Sequence, residues 1–199
     1  MTDKYYTINN QQTTEIKIKG SKFIGYAFPV STKEIALLKL NETKAKHFDA
    51  THNCYAYQLW NDNEHRTSDD GEPTGTAGKP ILFNIKKYGF NYVLVIVTRY
   101  FGGTKLGTGG LVKAYTEASE NVLELCEKKI INITNAVKVC CRYEEISLVK
   151  RIVNEYAVSV NEEYMDTIEI IAHIPLSKTE QFITKIITNT NTKANAKII

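Results

Sequence analysis

Glycine is distributed very unevenly along this chain. All eleven glycines lie between Gly20 and Gly110, and five of them fall within Arg99–Tyr115. This cluster follows the nearly continuous apolar run Asn91–Tyr100, which predicts a central strand covered on both faces, and it precedes an amphipathic helical pattern. Because glycine adopts positive φ and lets other groups approach the backbone, the sequence predicts a strand–loop–helix unit with an accessible main chain.

The same distribution predicts two domains. Residues 1–132 contain every glycine and read as a loop-rich domain, whereas residues 133–199 contain none. The second part alternates in the order β-α-β-β-α-β, which is typical of a ferredoxin-like domain. We therefore expect an α+β protein, with a domain boundary near residue 132.

Patterns in the first domain predict its main elements. Alternating apolar and polar residues in Thr14–Gly20 and Lys22–Val30 indicate a β-hairpin. Ser31–Phe48 reads as a helix with an imperfect inner stripe that includes Ile35 and Leu38. The polar, glycine-containing stretch from residue 61 to residue 80 is expected to be one long loop.

Composition limits the class of protein. No apolar run approaches the ~20 residues that a membrane span needs, and the first residues lack the apolar segment of a secretion signal. The four cysteines form no C-x-x-C pair, so we expect reduced thiols in a cytoplasmic protein. The formal net charge of +3 belongs to residues 1–132, where 17 Lys and Arg face 14 Asp and Glu; the remainder has 8 of each. Any attraction for a polyanion should therefore come from the first domain.

The glycine-rich loop is the main candidate binding site. Backbone N–H groups at the start of a helix lack intrahelical partners and carry partial positive charge, so they can bind a phosphate or a carboxylate. The spacing of Gly102 and Gly107 resembles part of a P-loop, but Thr108 stands where the P-loop lysine belongs. The alternative is that these glycines serve only a tight turn and close helix–sheet packing. The candidate anion- or nucleic-acid-binding residues here are Arg99, Phe101, Gly102, Gly103, Lys105, Gly107, Thr108, Gly109, Gly110 and Lys113.

A second loop adds polar groups before a short predicted helix. Thr74, Thr76 and Lys79 extend the candidate anion site, because a second helix N-terminus could converge on the same groove. An acidic cluster in this loop could bind Mg²⁺ through carboxylate oxygens. The alternative is a solvated turn whose aspartates accept hydrogen bonds from nearby N–H groups. The candidate metal ligands are Asp69, Asp70 and Glu72.

The histidine and aromatic residues by themselves give little evidence for a metal site or a binding site. The spacing of His47, His52 and His65 fits no zinc motif, so we expect ordinary structural or surface histidines. Most aromatic residues are expected in the core or at its rim. Phe101 is the exception, because it stands within the glycine-rich loop and could stack on a base.

The two loops together carry a family resemblance. The stretches DDGEPTGTAGKPIL (Asp69–Leu82) and VLVIVTRYFGGTKLGTGGLVKAY (Val93–Tyr115) resemble the signature of the YigZ/IMPACT family, with Lys113 where arginine is expected. The resemblance implies an IMPACT-type first domain with a two-layer α/β fold similar to domain IV of elongation factor G. It also implies the ferredoxin-like second domain of bacterial members. Eukaryotic members regulate translation by binding the activator of a starvation-responsive initiation-factor kinase.

Three functions follow as hypotheses. The leading one is a non-enzymatic protein that binds RNA or the ribosome and modulates translation, with a translation factor or kinase-pathway protein as a further partner. The second is an enzyme or binding protein for a phosphorylated small molecule or nucleotide, which uses the glycine-rich loop and the acidic cluster. The third is a protein-docking regulator. No cofactor is expected apart from Mg²⁺ at that cluster, and no membrane association is expected.

Overall fold

A computed structural model describes residues 3–60 and 64–199. Its chain divides into two compact units, Tyr6–Ile130 and a second unit that combines the residues up to Tyr5 with Ile131–Ile199. The mixed α/β fold expected from the sequence is confirmed. The first three residues of the predicted long loop, 61–63, lie outside the described residues.

The elements of residues 4–132 are β1 (Lys4–Ile8), β2 (Gln12–Ile18), β3 (Ser21–Pro29), α1 (Lys33–Lys46), β4 (His52–Gln58), β5 (His65–Ser68), α2 (Gly78–Lys87), β6 (Val93–Tyr100), α3 (Gly107–Glu124) and β7 (Lys128–Asn132). The first unit is built on a five-stranded antiparallel sheet with the order β2-β3-β6-β4-β5. Strands β1 and β7 form a separate two-stranded sheet.

Strand β6 is the central strand, as its apolar run predicts. Residues 93–99 are all buried, since helices cover both faces of the sheet. Side chains alternate along a strand, so Val95 and Val97 face the core shared with α2 and α3, whereas Leu94 and Ile96 face α1. The expected two-layer arrangement describes the sheet with α2 and α3, and α1 covers the opposite face in addition.

Several local elements differ from the sequence expectations. The short strands β1, β5 and β7 were not predicted, because none of them shows a run of alternating apolar residues. Helix α3 begins at Gly107, three residues before the expected start. Helix α1 buries Ala36 and Leu40, and the predicted stripe was wrong because Ile35 and Leu38 are 37% and 51% exposed.

The elements of the second unit are β8 (Thr134–Cys141), α4 (Ile146–Tyr156), β9 (Ser159–Tyr164), β10 (Ile168–Pro175), α5 (Thr179–Asn189) and β11 (Asn195–Ile198). Its four strands form an antiparallel sheet with the order β11-β8-β10-β9. Every second residue of β10 from Ile168 to Ile174 is buried, and these residues form a core with Ile152 on α4 and Phe182 on α5. The β-α-β-β-α-β order read from the sequence is the order observed.

None of the described helices is both long enough and apolar enough to cross a bilayer.

Candidate functional site

The loop between β6 and α3 is anchored at its first residues. The backbone N–H of Phe101 donates to Thr51 Oγ1 at 3.0 Å, and the N–H of Gly102 donates to Ser21 Oγ at 3.1 Å. Gly102 also lies against the hairpin turn at Gly20, because a Cβ built on it would stand 1.9 Å from the Gly20 carbonyl carbon. Gly102 is therefore part of the scaffold, as the packing alternative proposed for the glycines expects.

The next residues leave the N-terminus of α3 open. Gly103 and Gly107 adopt φ of +87° and +69°, which glycine reaches without strain. The N-cap position is Leu106, whose side chain cannot cap the helix, and no acidic residue occupies the first turn. Helix geometry leaves the N–H groups of residues 106–109 without intrahelical acceptors.

Most residues around this helix start are exposed, and two of them are lysines. Thr108 and Gly109 are exposed, and no atom lies within 4 Å of a Cβ built on Gly109. Gly110 is partly covered, and Lys105 and Lys113 are exposed. The helix macrodipole and the two lysines together create a positive potential at this end of α3. The structure therefore brings together most of the glycine-loop residues proposed as an anion site.

The start of α2 is closed by the protein itself. Asp69 Oδ1 accepts hydrogen bonds from the N–H groups of Ala77 at 3.0 Å and Gly78 at 2.8 Å, and Oδ2 accepts one from Gly75 at 2.8 Å. Burial opposes ionisation of Asp69, but these three donors outweigh it and lower the pKa of the carboxyl below its ordinary value. The side chain thus fills the place that an external anion would take at α2.

The structure also places the other three residues of this loop that were proposed to bind an anion, Thr74, Thr76 and Lys79. Thr76 is buried, and its hydroxyl donates to the Pro73 carbonyl at 2.7 Å. Thr74 and Lys79 are exposed. The expectation of a second open helix N-terminus is therefore corrected, because Asp69 occupies the α2 amides.

The three acidic residues proposed as metal ligands have separate partners. Asp70 accepts from the Asn53 N–H at 2.7 Å and pairs with Lys44 at 2.7 Å, whereas Glu72 turns inward. Within the described ranges, no group of three His, Cys, Asp or Glu side chains is arranged to hold a metal ion. The structure does not bring Asp69, Asp70 and Glu72 together around a common point.

Glu72 is the centre of a buried polar cluster. Its side chain is 3% exposed, and Oε1 accepts from Arg99 Nη1 at 2.6 Å and from the Tyr115 hydroxyl at 2.7 Å. The Arg99 guanidinium lies 5.5 Å from the ring centroid of Phe23 and 5.6 Å from that of Phe101. Arg99 was expected to offer a free positive charge, but its charge is paired with Glu72.

His52 joins this cluster from strand β4. Its Nδ1 lies 2.8 Å from the Asp70 carbonyl oxygen, which can only accept, so Nδ1 carries the hydrogen. The other ring nitrogen, Nε2, lies 3.9 Å from Glu72 Oε2. This role was not predicted, because the spacing of His52 matches no motif.

Two protonated groups lie beneath the cluster. Burial raises the pKa of the Cys54 thiol to about 12, and burial also raises the pKa of Tyr115. Both groups keep their hydrogens at neutral pH, so Tyr115 donates to Glu72 and Cys54 donates to the Asp69 carbonyl at 2.9 Å. Cys54 is thus a buried donor, and its high pKa is unsuited to a nucleophile.

A cavity of about 320 Å³ lies between the open helix start and this cluster. Its lining includes residues 105–108 at the helix start and His52 and Glu72 of the cluster. Phe101, which is 48% exposed, and Leu111 supply apolar surface. The volume falls at the lower end of the range for small-molecule sites.

Comparison with known proteins places this site within a family. The Impact N-terminal domain matches residues 19–123, which span more than half of the chain and include both loops. The chain is 34% identical over 202 residues to the IMPACT family member YvyE of Bacillus subtilis, covering 99% of this chain and 92% of that protein. It is 30% identical over 174 residues to the IMPACT family member YigZ of Escherichia coli, covering 85% of each.

A solved structure has the same fold along the whole chain. It is described as the crystal structure of a hypothetical protein, and it covers 100% of this chain and 98% of its own, with a TM-score of 0.71 and 27% identity. The resemblance seen in the two loop sequences is confirmed by the matched domain and by relatives that extend over nearly the full length. The chain belongs to the IMPACT family.

Proposed function

We propose that this protein is a non-enzymatic, RNA- or ribosome-binding modulator of translation that works in the cytoplasm. Its membership in the IMPACT family fits a role related to the regulation of translation. The resemblance read from the sequence supports the same direction, since eukaryotic members of the family are translational regulators. The binding surface in this proposal is the start of α3 with its flanking lysines.

The open N-terminus of α3 is the observation that carries the proposal. The N–H groups of residues 106–109 have no intrahelical acceptors, and the first turn contains no acidic side chain. The exposed Lys105 and Lys113 add two positive charges before and within the helix. Such a surface binds the phosphate groups of a nucleic acid without reading its sequence.

The modest charge limits the expected strength of binding. Residues 1–132 carry only three more positive than negative side chains. We therefore expect few phosphate contacts and a moderate dependence of affinity on salt, with a slope of about −0.7 per contacted phosphate for single strands. Phe101, half-exposed beside the helix start, supplies one aromatic surface for a base.

The test measures the binding of a single-stranded RNA by fluorescence anisotropy at several salt concentrations. Replacing both Lys105 and Lys113 by alanine should weaken binding at low salt and reduce the salt slope by about 1.4, which corresponds to two lost phosphate contacts. The matched control replaces Lys129 and Lys197, two exposed lysines on β7 and β11, and removes the same charge. The control should leave the slope close to that of the unmodified protein.

Two results would contradict the proposal. One is the absence of RNA binding at low salt, and the other is binding that the Lys105/Lys113 variant and its control weaken equally. Capture of a discrete protein partner that survives nuclease treatment would instead favour the docking hypothesis. A phosphorylated small molecule is the second candidate ligand, because the 320 Å³ cavity opens beside the same helix start.

A further inference from the structure

The two helices of the second unit pack against one face of its sheet. Ile170 of β10 and its buried neighbours meet Ile152 of α4 and Phe182 of α5 on that face. Because side chains alternate along a strand, the intervening residues point to the opposite face, which we call the open face. It consists of partly or fully exposed residues, which include Ala136, Lys138, Cys140, Ser159, Asn161, Glu163, Glu169, Ile171, His173, Asn195 and Lys197.

The charges on the open face are separated by strand. Lys138 on β8 lies directly opposite Lys197 on β11, and Glu169 on β10 lies directly opposite Glu163 on β9. The strand order β11-β8-β10-β9 therefore gives the face one positive half and one negative half. Where the halves meet, Lys138 pairs with Glu169 at 2.7 Å.

Each half places two like charges against each other. Directly opposed residues on antiparallel strands have Cβ atoms about 4.5–5.5 Å apart, so like charges at such positions destabilise a sheet. The pair of Lys138 with Glu169 offsets part of this repulsion. Lys197 and Glu163 are exposed and form no ion pair within the part of the chain that the structure describes. Opposite charges from a partner would relieve the repulsion in both halves.

A second copy of this chain supplies both opposite charges at once. Consider two open faces stacked about 10 Å apart and related by a two-fold axis parallel to the strands. Strand β11 of each copy then lies over β9 of the other, and Lys197 of each copy faces Glu163 of the other. A two-fold axis in the sheet plane but perpendicular to the strands would place β11 over β11 and bring like charges together. The charge pattern therefore favours the first arrangement.

The centre of the open face suits contact with another sheet. Ile171, Ala136 and Cys140 lie on the two central strands and are partly exposed. At ordinary strand spacing the face is about 19 Å wide and about 20 Å long, which gives roughly 400 Å² per partner. An interface of this size is smaller than that of most stable complexes, so the dimer should be weak and should form at high protein concentration.

We infer that the open face is a self-association surface, on which a second copy of the chain packs about a two-fold axis parallel to the strands. Ile171 and its neighbours form the centre of the contact, and two Lys197–Glu163 pairs form its edges. This surface lies in the second unit and goes beyond the proposed binding of RNA, which uses the start of α3 in the first unit.

The test measures the mass of the protein by sedimentation equilibrium at low ionic strength. Between about 10 µM and about 1 mM the unmodified chain should shift from monomer toward dimer, because small interfaces associate weakly. Lys197→Glu and Glu163→Lys should each raise the dissociation constant about tenfold, since two opposite-charge contacts become two like-charge contacts.

These changes should not prevent folding. Each single variant turns a like-charge cross-strand pair into an opposite-charge pair. An equimolar mixture of the two variants should regain association, because each offers the charge that the other requires. The double variant Lys197→Glu/Glu163→Lys should regain it too, and its net charge equals that of the unmodified chain. The control is Lys178→Glu, which makes the same change of charge at an exposed position outside the sheet and should alter the dissociation constant less than about twofold.

Four results would overturn the inference. The first is an unmodified chain that stays monomeric throughout the concentration range. The second is an association that Lys197→Glu and Lys178→Glu weaken equally, and the third is a double variant that does not regain it. The fourth is a face that single-stranded RNA protects from hydrogen exchange while the protein stays monomeric, which would show a different occupant. The sedimentation outcome does not depend on whether the start of α3 binds RNA.

Discussion

At the level of the single residue, three acidic side chains that are close in sequence have three different roles. Asp69 caps α2, Asp70 pairs with Lys44, and Glu72 enters the buried cluster with Arg99. The sequence grouped them as candidate Mg²⁺ ligands because carboxylates within four residues often share a site. Their backbone conformations separate them, since Asp70 adopts φ of +44° and the chain turns between Asp69 and Glu72.

Replacing the capping residue should destabilise the first unit. In Asp69→Asn, the neutral amide keeps one acceptor oxygen for the three N–H groups, so we expect a loss of about 1–2 kcal/mol in the free energy of unfolding at pH 7. Urea denaturation measures this loss. Asp166→Asn, at an exposed position in the second unit, is the control and should change stability by less than about 0.5 kcal/mol.

The stability difference should also depend on pH. The folded-state pKa of Asp69 is lowered, so the stability that its ionised form contributes is present above its unfolded pKa and is lost as the pH falls through the folded value. The difference between the unmodified protein and Asp69→Asn should therefore shrink below about pH 4. A difference that stays constant down to pH 2 would show that the cap does not depend on the charge.

At the level of the element, the β6–α3 loop combines a packed half and an open half. Gly102 touches the backbone of the β2–β3 turn, whereas Gly109 has no neighbour within 4 Å of its Cβ position. The turn itself uses Lys19 and Gly20 at positive φ, as two-residue hairpin turns require. The hairpin thus fixes the loop, and the loop leaves the first turn of α3 accessible.

Two alanine substitutions should distinguish these halves. Gly102→Ala places a Cβ 1.9–2.3 Å from backbone atoms of Gly20 and Ser21, so we expect a loss of about 2–4 kcal/mol because the turn must move. Gly109→Ala meets no atom and needs no positive φ, so it should be neutral or stabilising by up to about 1 kcal/mol. Thermal and urea denaturation of both variants measure the contrast, and equal losses would count against it.

At the level of the whole molecule, the two units have separate hydrophobic cores. The first unit has a core on each face of its sheet, and the second has its own core around Ile170 and Phe182. No cluster of buried residues in the described chain combines members of both units. Each unit therefore contains the apolar surface needed for its own stability.

A cavity created in the second core should act locally. Phe182 is fully buried, so Phe182→Ala should cost about 3–5 kcal/mol in the stability of the second unit. Hydrogen exchange followed by mass spectrometry should show lost protection in β8, β10 and α5, with β6 still protected. Equal loss of protection in β6 would show that the chain unfolds as one cooperative unit.

Much of the fold is predictable because its elements have strong local signals. The apolar run of β6, the amphipathic pattern of α3 and the β-α-β-β-α-β order of the second unit all follow from residue periodicity. The short strands β1, β5 and β7 have no such signal, because four or five residues without alternation of apolar and polar side chains show no recognisable period. The inner face of α1 was misjudged because its buried residues, Ala36, Leu40 and Thr43, form only a weak apolar stripe.

The loop sequence by itself determines that the start of α3 is left uncapped, because glycine has no side chain and lysine has no acceptor atom for the helix N–H groups. Only the tertiary structure decided which charges are free. It paired Arg99 with Glu72, closed α2 with Asp69, and brought His52 to within 3.9 Å of Glu72 from a separate strand. A local sequence pattern indicates which structure one segment can form, whereas the pairing of charges depends on distances that exist only in the folded chain.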